Sequence, residues 1–368
     1  MTRSTMRRAV RCMAVAVLVT YATAAGLMGS PDLEAPAVAQ TMGQVPGQSL
    51  GGVNDAEFWR QIRRGVSGTV SIPDKQAAVL VQSEGDNWRA MRNGPVSAFG
   101  GWVLLAVIVV LAVFFAVRGR IRVDSGLSGR TVERFNGLER FTHWLTASSF
   151  IVLALTGLNV LYGRYVLMPI IGQDTFAALT YWGKLAHNYI AFAFMIGLVL
   201  MVIVWVKDNL PSREDLTWVA KGGGMFAKGV HPPAKKFNFG QKAIFWVVVL
   251  GGTSLAYTGL SLMFFFDLKV FSASFALVNL FGFDLPTQMT ALQESQWAQL
   301  WHAFLALIVT AVIIAHIYIG SLGMEGAFDA VSTGQVDENW AREHHSLWVA
   351  EVTGEAPPSA PMERHPAE

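Results

Sequence analysis

Four histidines lie inside or at the edges of long apolar runs: His143, His187, His302 and His316. An ionisable ring in a membrane helix is costly, so it normally turns toward the bundle interior and marks a functional site. His302 and His316 are fourteen residues apart on one run. At 3.6 residues per turn this is close to four whole turns, so the rings share a face about 21 Å apart along the helix. His143 opens a second run and His187 opens a third. Once the runs are oriented, His143 comes level with His316, and His187 comes level with His302. Two pairs of neutral imidazoles at two heights are what two stacked haems need as axial ligands. With both axial positions closed, such an iron passes electrons and does not bind oxygen.

Other metal chemistry fits less well. A structural zinc site wants four nitrogen or sulfur donors converging on one point. Here the donors split into two separated pairs, and no carboxylate inside a run completes either. The plainer alternative is four packing or hydrogen-bonding histidines, which their matched depths argue against. The chain has one cysteine, Cys12, in its N-terminal stretch. Disulfides, cysteine-ligated iron–sulfur clusters and a covalently attached haem are therefore excluded for a mature chain that has lost that stretch.

The elements that hold these rings belong in lipid. The 368 residues are 52% hydrophobic and 15% charged, against roughly 25% charged in soluble proteins. A net charge of +2 is too small to argue for a nucleic-acid partner. Residues 1–39 read as a signal peptide: Arg3, Arg7, Arg8 and Arg11 precede an apolar run from Met13 to Ala25, and Ala37-Val38-Ala39 fits a small-residue cleavage site. An uncleaved anchor helix is the alternative. Residues 40–97 read as an exported polar segment, with a short helix at Asp55–Arg64.

Five apolar segments follow: Phe99–Val117, Thr142–Leu161, Leu185–Val206, Ala243–Phe266 and Leu300–Leu322. Each supplies about the 20 helical residues needed to cross a hydrocarbon core. In lipid, unpaired backbone groups are not tolerated, so each is expected to be a helix. Arg118 to Arg140 after the first segment, and Lys207 to Lys242 after the third, form basic loops; the other two loops are nearly free of cations. The basic loops belong in the cytoplasm, which puts residues 40–97 outside, as an export signal requires.

The expected fold is an all-α integral membrane protein. A dihaem four-helix transmembrane bundle (133–325) is preceded by one extra N-terminal transmembrane helix (98–118) and followed by a cytoplasmic, partly disordered tail (326–368). The expected location is the bacterial inner membrane, with several passes, a periplasmic N-terminal segment and a cytoplasmic C-terminus. Thr156-Gly157, Gly197, Gly251-Gly252 and Thr258-Gly259 would let a flat macrocycle approach, but helix–helix packing accounts for them equally well. The helix opened by Ala243 has no histidine and reads as a wall of the bundle.

An ordered set of motifs resembles one family. It comprises Arg-Phe-Thr-His143-Trp, Gly-Lys-Leu-Ala-His187-Asn, Asn238-Phe-Gly-Gln-Lys242, Leu-Trp-His302-Ala and His316-Ile-Tyr, with the tail Gly334-Gln-Val and Trp340-Ala-Arg-Glu-His-His345 to Trp348. From about Glu133 to Trp348 the chain is similar to the cytochrome b (gamma) subunit of respiratory membrane-bound formate dehydrogenases. The signal, the exported segment and the first helix are additions to that pattern. The resemblance implies two haems b, an outer one on His187 and His302 and an inner one on His143 and His316. It also implies a site for menaquinone or ubiquinone near the inner haem, formed by Asn238, Gly240, Gln241 and His316. The implied partners are an iron–sulfur beta subunit and a molybdopterin or tungstopterin alpha subunit, and the chain alone is not expected to oxidise formate. A dihaem cytochrome b of a hydrogenase or thiosulfate reductase is the nearest alternative, and a haem-free membrane scaffold or transporter is another.

Overall fold

The computed structural model describes residues 85–355 apart from residues 228, 265 and 266. The expected signal peptide, the helix at Asp55–Arg64, most of the exported segment and Pro357-Pro358 lie outside the described residues. Within them the chain is almost entirely helical, and five helices are long and apolar enough to cross a membrane. These are α1 (Asn87–Arg118), α2 (Gly137–Val166), α3 (Gln173–Trp205), α5 (Phe239–Met263) and α7 (Ala291–Gly323). A short amphipathic helix, α4 (Arg213–Ala220), lies between α3 and α5, and α6 (Val270–Asn279) lies between α5 and α7.

The helices run past the apolar segments because polar caps, not hydrophobicity, set their starts. Asn136 accepts from the Glu139 amide at 3.0 Å while Glu139 accepts from the Asn136 amide at 2.9 Å. Asn238 and Gln241 make the same reciprocal pair at the start of α5, and Thr290 and Gln293 make it at the start of α7. Each pair satisfies two of the four orphan amides of a helix N-terminus. The first helix also starts earlier than expected. It passes through a π-helical stretch, Arg92–Phe99, that accommodates Pro95; a widened turn suits a residue that has no amide hydrogen to donate.

Small residues bring the spans together. Gly197 of α3 abuts Thr146 of α2, Gly252 of α5 abuts Leu198 and Phe194 of α3, and Gly251 abuts Val309 of α7. In lipid, association rests on such close packing. The added helix α1 lies outside the four-helix bundle. Its Gly100 fits under Leu307 of α7, and the Tyr162 hydroxyl of α2 donates to the Ser97 carbonyl at 2.8 Å. Many of its apolar side chains remain exposed, among them Trp102, Val110 and Val117, as a lipid-facing helix requires.

A folded cap closes the end where α2 and α5 begin and α3 and α7 finish. It is built from strands β1 (Thr131–Glu133) and β2 (Gln335–Asp337), paired antiparallel with Val132 opposite Val336, and from helices α8 (Glu338–His344) and α9 (Ser346–Thr353). The tail expected to be partly disordered is thus ordered to residue 355, because it carries its own apolar face. Val336, Trp340, Ala341, Trp348 and Val349 are buried against Phe135, Trp205 and Phe237. The Arg134 guanidinium lies 5.2–5.4 Å from the ring centres of Phe135, Trp340 and Trp348, a cation–π arrangement. Buried Glu139 ties three segments together, accepting from Trp205 Nε1 at 2.9 Å and from Lys236 Nζ at 2.5 Å. Lys242, also buried, fixes α4 to α5 through both oxygens of Asp215, at 3.0 and 2.9 Å.

The cap should be acid-sensitive. Burial pushes His344 down to about 4 and His345 well below the ordinary imidazole range. Both rings are neutral in the folded cap and take up protons when it opens. Their contribution is complete above an unfolded value of about 6.5 and is lost as pH falls toward 4. The thermal unfolding midpoint of detergent-solubilised protein should therefore drop between pH 7 and 4.5, and should drop less in His344→Gln. Equal drops in the two proteins would contradict the assignment.

Candidate functional site

The four histidines of the apolar runs meet as two pairs. His143 of α2 faces His316 of α7 with ring centres 6.3 Å apart and planes inclined by 57°. His187 of α3 faces His302 of α7 with ring centres 6.2 Å apart and planes inclined by 61°. A metal–imidazole bond is about 2 Å and the ring centre lies roughly 1 Å beyond the nitrogen, so two imidazoles on one metal have centres about 6 Å apart. Both pairs have that spacing. All four rings are only partly buried. Among the described residues, no three His, Cys, Asp or Glu side chains converge on a point that could hold a metal. A metal held by either pair would need its remaining donors from a bound group, as the four nitrogens of a porphyrin provide.

The outer pair has a repeated support. Thr156 Oγ1 lies 2.8 Å from His187 Nδ1, and Thr258 Oγ1 lies 2.9 Å from His302 Nδ1. Each hydroxyl also donates back along its own helix, Thr156 to the Val152 carbonyl at 2.7 Å and Thr258 to the Ser254 carbonyl at 2.9 Å. A hydroxyl has one proton. Spent on the carbonyl, it leaves the oxygen to accept from Nδ1–H, and the Nε2 lone pair is left for a metal. The next residue in each case is a glycine against the same ring. A methyl group on Gly157 would stand 3.5 Å from His187 Cε1, and one on Gly259 would stand 3.5 Å from His302 Cε1. The helix read as a bare wall therefore carries half of this support. The signal was the repeated Thr-Gly dipeptide, which sequence alone could not separate from ordinary packing. The inner pair is different: His143 Nδ1 and the neighbouring Thr142 Oγ1 are buried without a hydrogen-bond partner among the described residues.

The polar residues expected near the inner pair are placed as follows. Asn238 and Gln241 open α5 and use their side-chain oxygens in its capping pair. Gly240 lies beneath Trp218 of α4, whose ring would be 3.1 Å from an added methyl group. Trp218, not singled out in the sequence, also stands 6.1 Å from Phe239, centre to centre. The start of α5 packs against α7, the helix that carries His316.

A third pair, His231 and His344, has ring centres 6.2 Å apart, so spacing alone does not define a haem site. It belongs to the cap, where His231 Nε2 pairs with Asp124 at 3.1 Å. The cavity beside it measures about 20 Å³, enough for a water but not a macrocycle.

Five apolar spans with facing imidazoles at two levels define a multi-pass membrane cytochrome b. The chain belongs to the prokaryotic cytochrome b561 family, whose model matches residues 134–331; membership implies haem b. The formate dehydrogenase cytochrome b556(fdo) subunit of Escherichia coli (strain K12) is 27% identical over 223 residues, covering 60% of this chain and 93% of the relative. The nitrate-inducible formate dehydrogenase cytochrome b556(Fdn) subunit of the same strain is 23% identical over 225 residues, covering 61% and 92%. The formate dehydrogenase cytochrome b556 subunit of Haemophilus influenzae is 25% identical over 216 residues, covering 58% and 79%. In each comparison about 140 to 150 residues of this chain lie outside the match.

The packing of Gly259 gives a graded test. A methyl group fits at ordinary contact distance, whereas a branched side chain would displace His302. Gly259→Ala should keep the b-type haem content of the parent, and Gly259→Leu should lose about half of it, read from the haem-to-protein ratio. Full content in Gly259→Leu would contradict the geometry.

Proposed function

We propose that this chain is the electron-transfer and quinone-reducing membrane subunit of a formate dehydrogenase, passing electrons from an iron–sulfur partner through two haems b to a quinone. The observation that carries the reading is the pair of imidazole couples at metal-bridging distance on one helix, in a chain whose relatives are named formate dehydrogenase subunits.

His187 and His302 would hold the outer group through Nε2, and His143 and His316 the inner one. Haem iron, when bound there, supplies reversible one-electron exchange. The protein supplies ligation, spacing and exclusion of other ligands. With two imidazoles at each level, the protein would supply both of the ligands a haem needs beyond its own nitrogens, which would suit electron transfer. The fourteen-residue interval on α7 sets the two levels about 21 Å apart along the helix. The arginines and lysines flanking the cap end favour a cytoplasmic cap, so the outer pair would face the periplasm and the inner pair the cytoplasm. Reduction of quinone at the inner level would then draw its protons from the cytoplasm.

The quinone would sit where α5 enters the membrane. Capping commits the oxygens of Asn238 and Gln241 but leaves each amide NH2 group to donate to a quinone carbonyl. Trp218, which covers Gly240, offers an aromatic face, the Gly240 amide in the first turn of α5 is a further donor, and His316 could donate through the nitrogen not on iron.

Reduced-minus-oxidised spectra of the purified chain and two variants test the ligation. His302→Ala should abolish the outer b-type component and keep the inner one, and His316→Ala should do the reverse and impair quinone reduction. Two haems per chain in both variants would refute the pairing. The formate assignment is tested in anaerobic native membranes, where formate should reduce the b-type band. Reduction by hydrogen and not by formate would move the chain to a hydrogenase.

A further inference from the structure

The two histidine pairs differ in what lies behind the rings. Behind the outer pair are two hydroxyls, each donating to a main-chain carbonyl and lying 2.8 or 2.9 Å from Nδ1, so that each accepts from its ring in the tautomer that leaves Nε2 free for a metal. Donation outward polarises each hydroxyl and makes its oxygen a better acceptor, as in any hydrogen-bonded chain. An imidazole that gives its Nδ1–H to such an acceptor becomes a more basic ligand at Nε2. Thr258 is 2% exposed, so water does not substitute for it. Behind the inner pair, His143 Nδ1 is buried with no hydrogen-bond partner among the described residues, and its ring receives no such assistance.

From this asymmetry we infer that Thr156 and Thr258 are positioning residues that set the outer centre at a lower reduction potential than the inner one. The inference rests on the bis-histidine reading above. More basic axial ligands stabilise ferric over ferrous iron, and hydrogen bonding to the ligands is one of the levers a protein has on haem potential. Haem held by His187 and His302 would then be the one-electron donor to haem held by His143 and His316, an exchange that needs no proton. The direction matches the proposed flow from a periplasmic donor toward quinone. Transfer would be directed by ligand hydrogen bonds built into α2 and α5, with no need for a difference in ligand type.

Potentiometric titration of the full-length protein in detergent, followed in the b-type absorbance band, tests this directly. The wild type should titrate as two one-electron components, and His302→Ala should retain the higher one. Retention of the lower component would overturn the inference without involving either threonine. Thr156→Val and Thr258→Val should keep two haems while the lower component moves positive. The ferric-to-ferrous ratio at fixed ambient potential should fall by up to about tenfold, equivalent to about 59 mV for a one-electron couple. The higher component should stay in place, and Thr→Ser at either position should restore the parental value. Loss of haem in a valine variant would still leave the serine variant and His302→Ala to decide. An unmoved lower component in a haem-replete valine variant would overturn the inference. Absence of any b-type band from the wild type would instead refute the underlying reading.

Discussion

Placing a polar ring in a hydrocarbon layer is unfavourable unless the ring has something to bind. Four imidazoles in this bundle are held in facing couples at a separation that one metal atom would bridge. The rest of the architecture follows from that constraint. Helix α7 must be continuous through both levels, α2 and α3 must each present one ring at opposite ends, and α5 must come close enough for Thr258 to reach His302. The glycines at these contacts bring the helices together at Gly197, Gly251 and Gly252 and leave clearance beside the rings at Gly157 and Gly259. A bulkier residue at either kind of site would act on the imidazoles, directly or through the backbone.

Much of this was legible in the sequence. The apolar segments gave the spans, and the interval between His302 and His316 gave the shared face. Alternating loop charge then put His143 level with His316 and His187 level with His302. In the structure the ring centres of these couples are 6.3 and 6.2 Å apart. Helix ends were less legible because they are fixed by polar reciprocity: Asn136 with Glu139, Asn238 with Gln241, Thr290 with Gln293. Those residues lie outside the hydrophobic signal. How far the tail is ordered was not legible for a related reason. Residues 326–355 look polar and short of pattern, yet Val336, Trp340 and Trp348 meet Phe135, Trp205 and Phe237 from distant parts of the chain, a convergence that periodicity does not encode. The threonines behind the outer rings were visible as residues but not as partners, because only the crossing of α2 over α3 and of α5 over α7 brings them to Nδ1.

The two ends of the bundle are built differently. The end that carries the cap is closed by it, by a part-buried ion pair between Glu139 and Lys236, and by a buried one between Lys242 and Asp215. Removing one member of such a pair leaves an unpaired charge in a region of low polarity, which is far more costly than the pair is stabilising. These contacts fix the start of α2 and α5 relative to α4, and so hold the residues proposed to surround a quinone. At the outer end, α6 is anchored by Glu294, 1% exposed, which accepts from the Phe271 and Ser272 amides at 2.8 and 2.7 Å. A carboxylate there satisfies the helix N-terminus and is favoured by its dipole. Glu294 thereby ties the start of α6 to α7. The added α1 touches α7 and α2 from outside and leaves both couples undisturbed, so the extension is compatible with the same electron path.

The central claim is that each imidazole couple holds one haem. Its most direct test is the ratio of non-covalent haem b to polypeptide in the purified, full-length protein, measured by extracting the haem as its pyridine complex and quantifying the chain by amino-acid analysis. Two haems per chain are expected; a value near zero, or a single haem in fully loaded protein, would overturn ligation by both couples.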